Sequence, residues 1–154
     1  MDEFELVKYE ATSNTPIISL STLLSKVYEE KISEITNDKF LNQKATRFIL
    51  AVLSRENGLT QNDLVRVTHM KSSTISITLS KLEEKGMILR KDDGYDLRCL
   101  RVFLTEKGYD LASKHREVLN TVESNARKDI TPNELKQAIY VLETYLNTLL
   151  ENKK

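Results

Sequence analysis

Apolar residues recur at three- and four-residue intervals over most of the chain, and each such run predicts a helix. Ile17, Leu20, Leu24, Val27, Ile32 and Ile35 keep one face apolar from about 16 to 37. Thr15-Pro16 reads as its start, a capping hydroxyl before a proline whose missing N–H costs nothing at the first helical position. A second helix over about 42 to 56 turns Ala45, Phe48, Ile49, Val52 and Leu53 inward and stops at Gly58. A third long run, from Thr105 to about 128, carries Leu111, Val118, Leu119 and Val122. The last helix opens on Thr131-Pro132-Asn133-Glu134, a capping box with proline inside it. Leu135, Ala138, Ile139, Leu142, Tyr145, Leu146, Leu149 and Leu150 then form a stripe close to heptad spacing. The stripe fits either packing within the chain or dimerisation. Long helices at both ends of a small domain cannot bury both their faces alone, which favours a dimer. Residues 1–15 show no period and are expected to form a mobile arm.

The breakers set off the middle of the chain. All four glycines (58, 86, 94 and 108) fall between 58 and 108, and both prolines lie outside that window. Thr60-Gln-Asn-Asp63 starts a short helix, with the Thr60 hydroxyl able to cap and Asp63 favourable near the positive helix end. A turn through Thr68-His69-Met70-Lys71 leads to a second helix from about Ser72 to Lys85, closed by Gly86. Two short helices joined by a tight turn make a helix-turn-helix. In the second helix Ile75, Leu79 and Leu82 share the buried side, and Ser73, Ser76, Ile77, Ser80, Lys81 and Glu84 lie opposite. Five hydroxyl residues between 72 and 78 are unusual on a solvated helix face, where Lys, Glu, Gln and Ala form better helix. Such a surface is small enough for a major groove and can hydrogen-bond phosphates and bases, while Ile77 meets a thymine methyl. The alternative is a serine-rich helix start that merely caps itself.

After Gly86, Met87–Lys91 and Cys99–Leu104 read as two strands joined through Asp93-Gly94, a hairpin turn signal. In the second strand Leu100, Val102 and Leu104 alternate with Cys99, Arg101 and Phe103. A hairpin directly after a helix-turn-helix is a wing. The expected fold is therefore mainly α with a small β-hairpin wing. A winged helix-turn-helix over 40–104 is flanked by dimerisation helices over 16–39 and 105–154.

The run LTQNDLVRVTHMKSSTISITLSKLEEKGMILRKDDGYDLRCLRVFLTEKG resembles the core of the MarR (multiple antibiotic resistance regulator) family of bacterial winged-helix transcription regulators. Leu59-Thr-Gln61, Leu82-Glu-Glu-Lys-Gly86, Asp96-x-Arg98 and Leu104-Thr-Glu-Lys-Gly108 carry the likeness, in order, over about 50 residues. The resemblance implies a homodimer on a pseudo-palindromic operator in double-stranded DNA, most often as a repressor. It implies that Arg98 enters the minor groove with its guanidinium held by Asp96, chemistry that suits a narrow electronegative groove. Arg90 and Lys91 lie on the approach to that wing. Ser72, Ser73, Thr74, Ser76, Ile77 and Lys81 are the expected major-groove residues, with Thr60, Gln61 and Lys71 on the DNA backbone. Relatives often bind a small phenolic or lipophilic acid between the dimer helices and the winged domain. Tyr28, Phe48 and Tyr109 are the aromatic candidates here, each equally explained as core. The wing departs from the family pattern in carrying Asp92 and Asp93 with no extra basic residue at its tip.

Composition sharpens this reading. Among 154 residues, 23 are Lys or Arg and 23 are Asp or Glu, so the net charge is zero. Counted by segment, residues 1–58 hold 7 basic and 9 acidic groups, 59–104 hold 8 and 6, and 105–154 hold 8 and 8. The winged segment is thus +2, and neutrality is a sum of unlike parts. Cys99 stands alone, which argues for a reducing, cytoplasmic setting; beside Arg101 it fits a packing residue better than a redox sensor. His69, His115 and Cys99 are too dispersed for a metal site, with His69 structural or phosphate-contacting. Neither a phosphate-binding glycine cluster nor a nucleophile elbow is present, so neither catalysis nor a cofactor is expected. Two rivals use the same fold: a winged-helix module that holds a protein, and an architectural DNA binder that answers to no ligand.

Overall fold

The computed structural model describes residues 10–92 and 100–151. Six helices and three short strands follow one another as α1 (Ile17–Ile35), α2 (Lys44–Arg55), β1 (Leu59–Thr60), α3 (Gln61–Thr68), α4 (Ser72–Glu84), β2 (Ile88–Asp92), β3 (Leu100–Leu104), α5 (Glu106–Ala126) and α6 (Pro132–Glu151). The mainly helical winged fold read from the pattern is the observed one. None of the helices is long and apolar enough to cross a membrane among the described residues. The chain divides into two compact units between Val118 and Leu119.

The first unit is built around α2 and α4. Helix α2 buries Thr46, Ile49, Leu50 and Leu53, in which Ile49, Leu50 and Leu53 follow Thr46 by three, four and seven residues and so share its side. Phe48, expected inward, is instead 43% exposed. At about 100° per residue it falls nearly opposite that buried side, so its bulk cannot reach the core. The Lys44 ammonium lies over its ring, 5.8 Å from the centroid. The core joins Ile49, Leu50 and Leu53 to Leu64 of α3, to Ile75, Leu79 and Leu82 of α4, and to Val102 and Leu104 of β3. Leu111 and Ala112 bring the first half of α5 into the same cluster.

The sheet is antiparallel with strand order β1-β3-β2. Ile88 pairs with Leu104 and Asp92 with Leu100 across the wing, while Leu59 and Thr60 pair with Val102 and Arg101. Strand β1 went unread in the sequence because two residues are too few to show alternation. Its placement is secured locally: Asn57 Oδ1 accepts from the Leu104 N–H at 2.9 Å, and Arg101 Nη1 donates to the Gly58 carbonyl at 3.0 Å.

Two junctions lock the wing to the helices. At the end of α4 the Gly86 N–H donates to Glu83 and the Met87 N–H to Leu82, both at 2.8 Å, the paired bonds of a Schellman ending. Gly86 has φ +68°, a backbone setting in which a side chain is strained. Thr105 then caps α5, its hydroxyl accepting from the Gly108 N–H at 3.1 Å and donating to the Gly86 carbonyl at 2.7 Å. A Cβ on Gly108 would lie 2.0 Å from the Met87 carbonyl oxygen, so only glycine permits this approach.

The caps expected at Thr60 and Thr131 form and the one at Thr15 does not, while α2 and α4 start from Gln43 and Lys71 with no side-chain cap. At α6 the Thr131 hydroxyl accepts from the Glu134 N–H, and the Glu134 carboxylate accepts from the Thr131 N–H and hydroxyl. At α1 the capping position is Pro16 itself, and no side chain caps it. The Thr15 hydroxyl accepts instead from the Thr12 N–H at 2.9 Å, closing a turn just before the helix. Residues 1–9 of the expected arm lie outside the described residues.

The helix faces differ in how completely they are covered. On α1 only Ile32 is buried, and Leu20, Leu24, Val27 and Ile35 are exposed. In the second unit no residue of α6 is buried, and Ile139, Leu142, Tyr145, Leu146, Leu149 and Leu150 all face outward.

A buried cation sits in the first unit. Arg47 is 4% exposed and pairs with Glu29 of α1, while its other amino group donates to the Leu41 carbonyl. Burial pulls the Arg47 pKa down, and Tyr28 partly opposes this. His115 of α5, also buried, is held at a pKa of about 4 by loss of hydration and then by the Arg47 charge. The folded chain therefore binds its His115 proton near pH 4 and the unfolded chain near the ordinary 6.5. Between those values protons favour the unfolded state, so stability is full above about pH 6.5 and falls as pH drops towards 4. The loss is expected to reach on the order of 2–3 kcal/mol. Urea unfolding midpoints at about pH 7.5 and about pH 5 read it directly, and His115→Gln should flatten the difference.

Candidate nucleic-acid interface

The helix-turn-helix is assembled by two local devices. Thr60 caps α3 with both halves of a box: its hydroxyl accepts from the Asp63 N–H at 3.1 Å, and the Asp63 carboxylate accepts from the Thr60 N–H at 3.0 Å. The Thr60 hydroxyl also donates to Asp63 at 2.7 Å. These bonds from Thr60, side chain first, hold the Asp63 carboxyl below its usual range, and the Arg66 pair adds to them. At the other end His69 takes a left-handed conformation, φ +53°, and reverses the chain into α4. The His69 backbone thus forms the turn. This leaves the donors of Thr60 committed within the protein, whereas Gln61 and Lys71 stand at the edge of the helix pair.

Helix α4 presents two unlike sides. Ile75, Leu79 and Leu82 are fully buried and Thr78 nearly so, its hydroxyl turned back to the Thr74 carbonyl at 2.8 Å. Ser72, Ser73, Thr74, Ile77, Ser80 and Lys81 are exposed, and Ser76 is half-buried between the two sides. Ile77 stands 57% exposed among hydroxyls. The capping residue is Lys71, and no side chain caps the helix. The early serines are thus not spent on self-capping; Ser72 instead accepts a 3.4 Å contact from Gln61 Nε2, tying the starts of α3 and α4 together.

Strand β2 carries two basic residues on opposite faces. Lys91 is exposed, with its ammonium 5.9 Å from the Phe103 ring centroid. Arg90 turns the other way, towards α4, where its Nε lies 3.4 Å from a Glu83 carboxylate oxygen. The partnership of Arg90 with Glu83 crosses the Gly86 turn and was not read in the sequence. A charge pair seven residues apart gives no helical or strand period to find it by. Asp96 and Arg98 of the wing, and Cys99, lie outside the described residues.

The three aromatic candidates occupy separate settings. Tyr28 is half-buried on α1 beside Arg47, Phe48 faces outward on α2, and Tyr109 on α5 accepts a 3.0 Å bond from Asn57. A hollow of about 680 Å³ beside α1 is lined by Lys26, Glu29, Glu30, Ser33, Glu34 and Asn42, and none of the three aromatic candidates lines it. Among the described residues, no three His, Cys, Asp or Glu side chains gather as metal ligands.

A capped helix, a left-handed turn, a half-exposed second helix and a three-stranded wing define a winged helix-turn-helix protein. Residues 46–98 match the sequence model of the MarR family. A crystal structure of MarR aligns over 93% of this chain and 97% of its own, at 23% identity and a TM-score of 0.76. A MarR-family transcriptional regulator from Silicibacter pomeroyi aligns over 88% of both chains, at 26% identity and a TM-score of 0.69. BpsR of Bordetella bronchiseptica, whose DNA binding is regulated by 6-hydroxynicotinic acid, aligns over 90% of this chain and 99% of its own, at 15% identity and a TM-score of 0.71. The chain has the fold of a MarR-family transcription regulator, and its winged segment carries that family's sequence pattern.

Because the Thr60 hydroxyl serves Asp63, its removal should register in the fold. Thr60→Ala is expected to cost about 1 kcal/mol of stability, the usual worth of such a cap. Nuclear magnetic resonance titration should show the Asp63 pKa rising, while Gln61→Ala leaves the Asp63 pKa unchanged.

Proposed function

We propose that the protein is a bacterial transcription regulator, acting as a repressor, that binds a pseudo-palindromic operator in duplex DNA as a homodimer. The observation that carries this reading is the two-sided α4. One side is wholly buried, so the helix is rigidly held; the other offers small hydroxyls, an exposed Ile77 and Lys81. Hydroxyls and Ser76 at the rim suit base edges and phosphates, and Ile77 suits a thymine methyl. Lys71, Lys81 and Gln61 would take the backbone, and Arg98 with Asp96 would serve the minor groove. The exposed apolar faces of α1 and α6 support the dimer, since contiguous apolar stripes of this extent mark an interaction surface. Two-fold symmetry then sets half-sites about 10 bp apart, or a multiple of one turn.

Control by a small phenolic or lipophilic acid is part of the proposal, supported by the regulation of BpsR by 6-hydroxynicotinic acid. Loss of affinity when such acids are added would support it, and indifference to them all would favour a ligand-independent binder.

Genomic footprinting followed by titration of the bound duplex at several salt concentrations tests the central reading. Lys81→Ala should weaken binding to every sequence and reduce the salt slope by about one phosphate's worth. Salt-tolerant capture of a protein, with no footprint, would replace this reading with that of a protein-binding module. In sedimentation the parent should run as a dimer, and Leu142→Glu with Leu146→Glu as a monomer that has lost most of its operator affinity.

A further inference from the structure

We propose that Arg90 is a positioning residue that locks the wing to the groove-facing helix through Glu83 and Ser80 and does not itself bind DNA. The inference rests on the DNA-binding function proposed above. It begins with strand register. Ile88, Arg90 and Asp92 alternate with Leu89 and Lys91, and Ile88 is buried, so Arg90 shares the face that packs on the helices. Its partner across the ladder is Val102, buried in the core, whereas Lys91 stands opposite Arg101 on the other face. The strand therefore aims Arg90 inward and Lys91 outward.

What Arg90 meets there is α4. Its Nε lies 3.4 Å from Glu83 Oε2, and Nη2 lies 3.5 Å from the Ser80 hydroxyl. Ser80 and Glu83 are three residues apart and so adjacent on the helix surface. One planar guanidinium spanning two neighbouring positions opposes both sliding and rotation of β2 against α4. The Nε atom is buried and has no hydrogen-bond partner among the described residues, so the Glu83 carboxylate 3.4 Å away offsets its desolvation by charge alone, and without Glu83 nothing would. Arg90 also lines a cleft of about 200 Å³ with Gln61 and Asn62 of α3, at the point where both helices and the sheet converge. Strands β2 and β3 carry residues 93–99 between them, so the setting of this sheet against α4 fixes where that segment leaves and returns.

The test exploits a contradiction in sign. Glu83 is an anion near the DNA-facing surface, so its neutralisation should strengthen DNA binding unless its work is to hold Arg90. Operator affinity and salt slope are measured for the parent, Arg90→Gln, Glu83→Gln and the double variant. Each single change is expected to weaken binding roughly tenfold, the double no further, with all four slopes alike. Exchanging the charges, Arg90→Glu with Glu83→Arg, should recover most of the affinity and also shows that the loss is not misfolding. A slope reduced by about one for Arg90→Gln alone, with Glu83→Gln binding as tightly as the parent or tighter, would make Arg90 a phosphate contact and overturn the proposal. Parental affinity in both single variants would overturn it equally. If the parent binds no duplex, the proposed function fails. The coupling is then decided in the free protein by hydrogen exchange of the β2 and β3 amides. Equal acceleration in both singles and the double upholds it; additive or absent acceleration overturns it.

Discussion

Everything at the proposed interface depends on one helix keeping two incompatible sides. Helix α4 must bury Ile75, Leu79 and Leu82 completely, which contributes about 5–9 kcal/mol of hydrophobic stabilisation before entropy is charged. It must also keep its other side, from Ser72 to Ser80, free of the lysines and glutamates that stabilise an ordinary exposed helix and that return only at Lys81, Glu83 and Glu84. The first requirement provides for the second. A helix wedged between α2, α3 and β2 does not need a helix-favouring surface, so that surface is free to be chosen for shape and hydrogen bonding. The same logic explains why the surrounding loops are so tightly specified. The left-handed His69 before the helix, the Schellman ending at Gly86 and the close approach at Gly108 each remove a way for α4 to shift.

The terminal helices pose the opposite problem. Their apolar stripes are as regular as that of α4, yet most of their residues remain exposed in a single chain. A second copy is the economical solution, because symmetry supplies a matching stripe without further sequence. It would also place two copies of α4 at a defined separation, turning a weakly charged reader of a few base pairs into one that measures a distance.

Periodicity made most of this legible before any coordinates. The helices, the wing strands, the buried triad of α4 and the capping box at Thr131 followed from spacing and from the few breakers. The spacing of Ala45, Phe48, Ile49, Val52 and Leu53 puts Phe48 inward, but the buried face of α2 is rotated towards Leu50, which turns Phe48 out and brings Thr46 and Arg47 in. An apolar stripe wide enough to hold both faces leaves the rotation of the helix open, and only its packing partners fix it. Strand β1, the Glu83–Arg90 pair and the Glu29–Arg47–His115 cluster were invisible for another reason. Each joins segments without a shared period, and only the fold brings them together. The residues expected at the DNA surface were legible as a face of α4, but which basic groups are available was not.

That availability decides how the protein would bind. Of the basic residues in the winged segment, Arg90 is held by Glu83, Arg101 donates to Gly58, Arg66 pairs with Asp63 and Lys91 rests over Phe103. Among the described residues this leaves Lys71, Lys81 and Lys85, the first two beside the hydroxyl face. If the protein binds DNA as proposed, few free cations on this surface would release few counterions and give a weak, weakly salt-dependent affinity for arbitrary sequence. In the proposed dimer, discrimination would then come from the fit of a nearly uncharged helix face, presented twice. Small hydroxyls serve that end better than lysines, because a misplaced hydroxyl contact is lost outright whereas a lysine finds some phosphate on any sequence. The modest charge of the segment is consistent with a reader whose selectivity is set by shape and by the separation of its two copies.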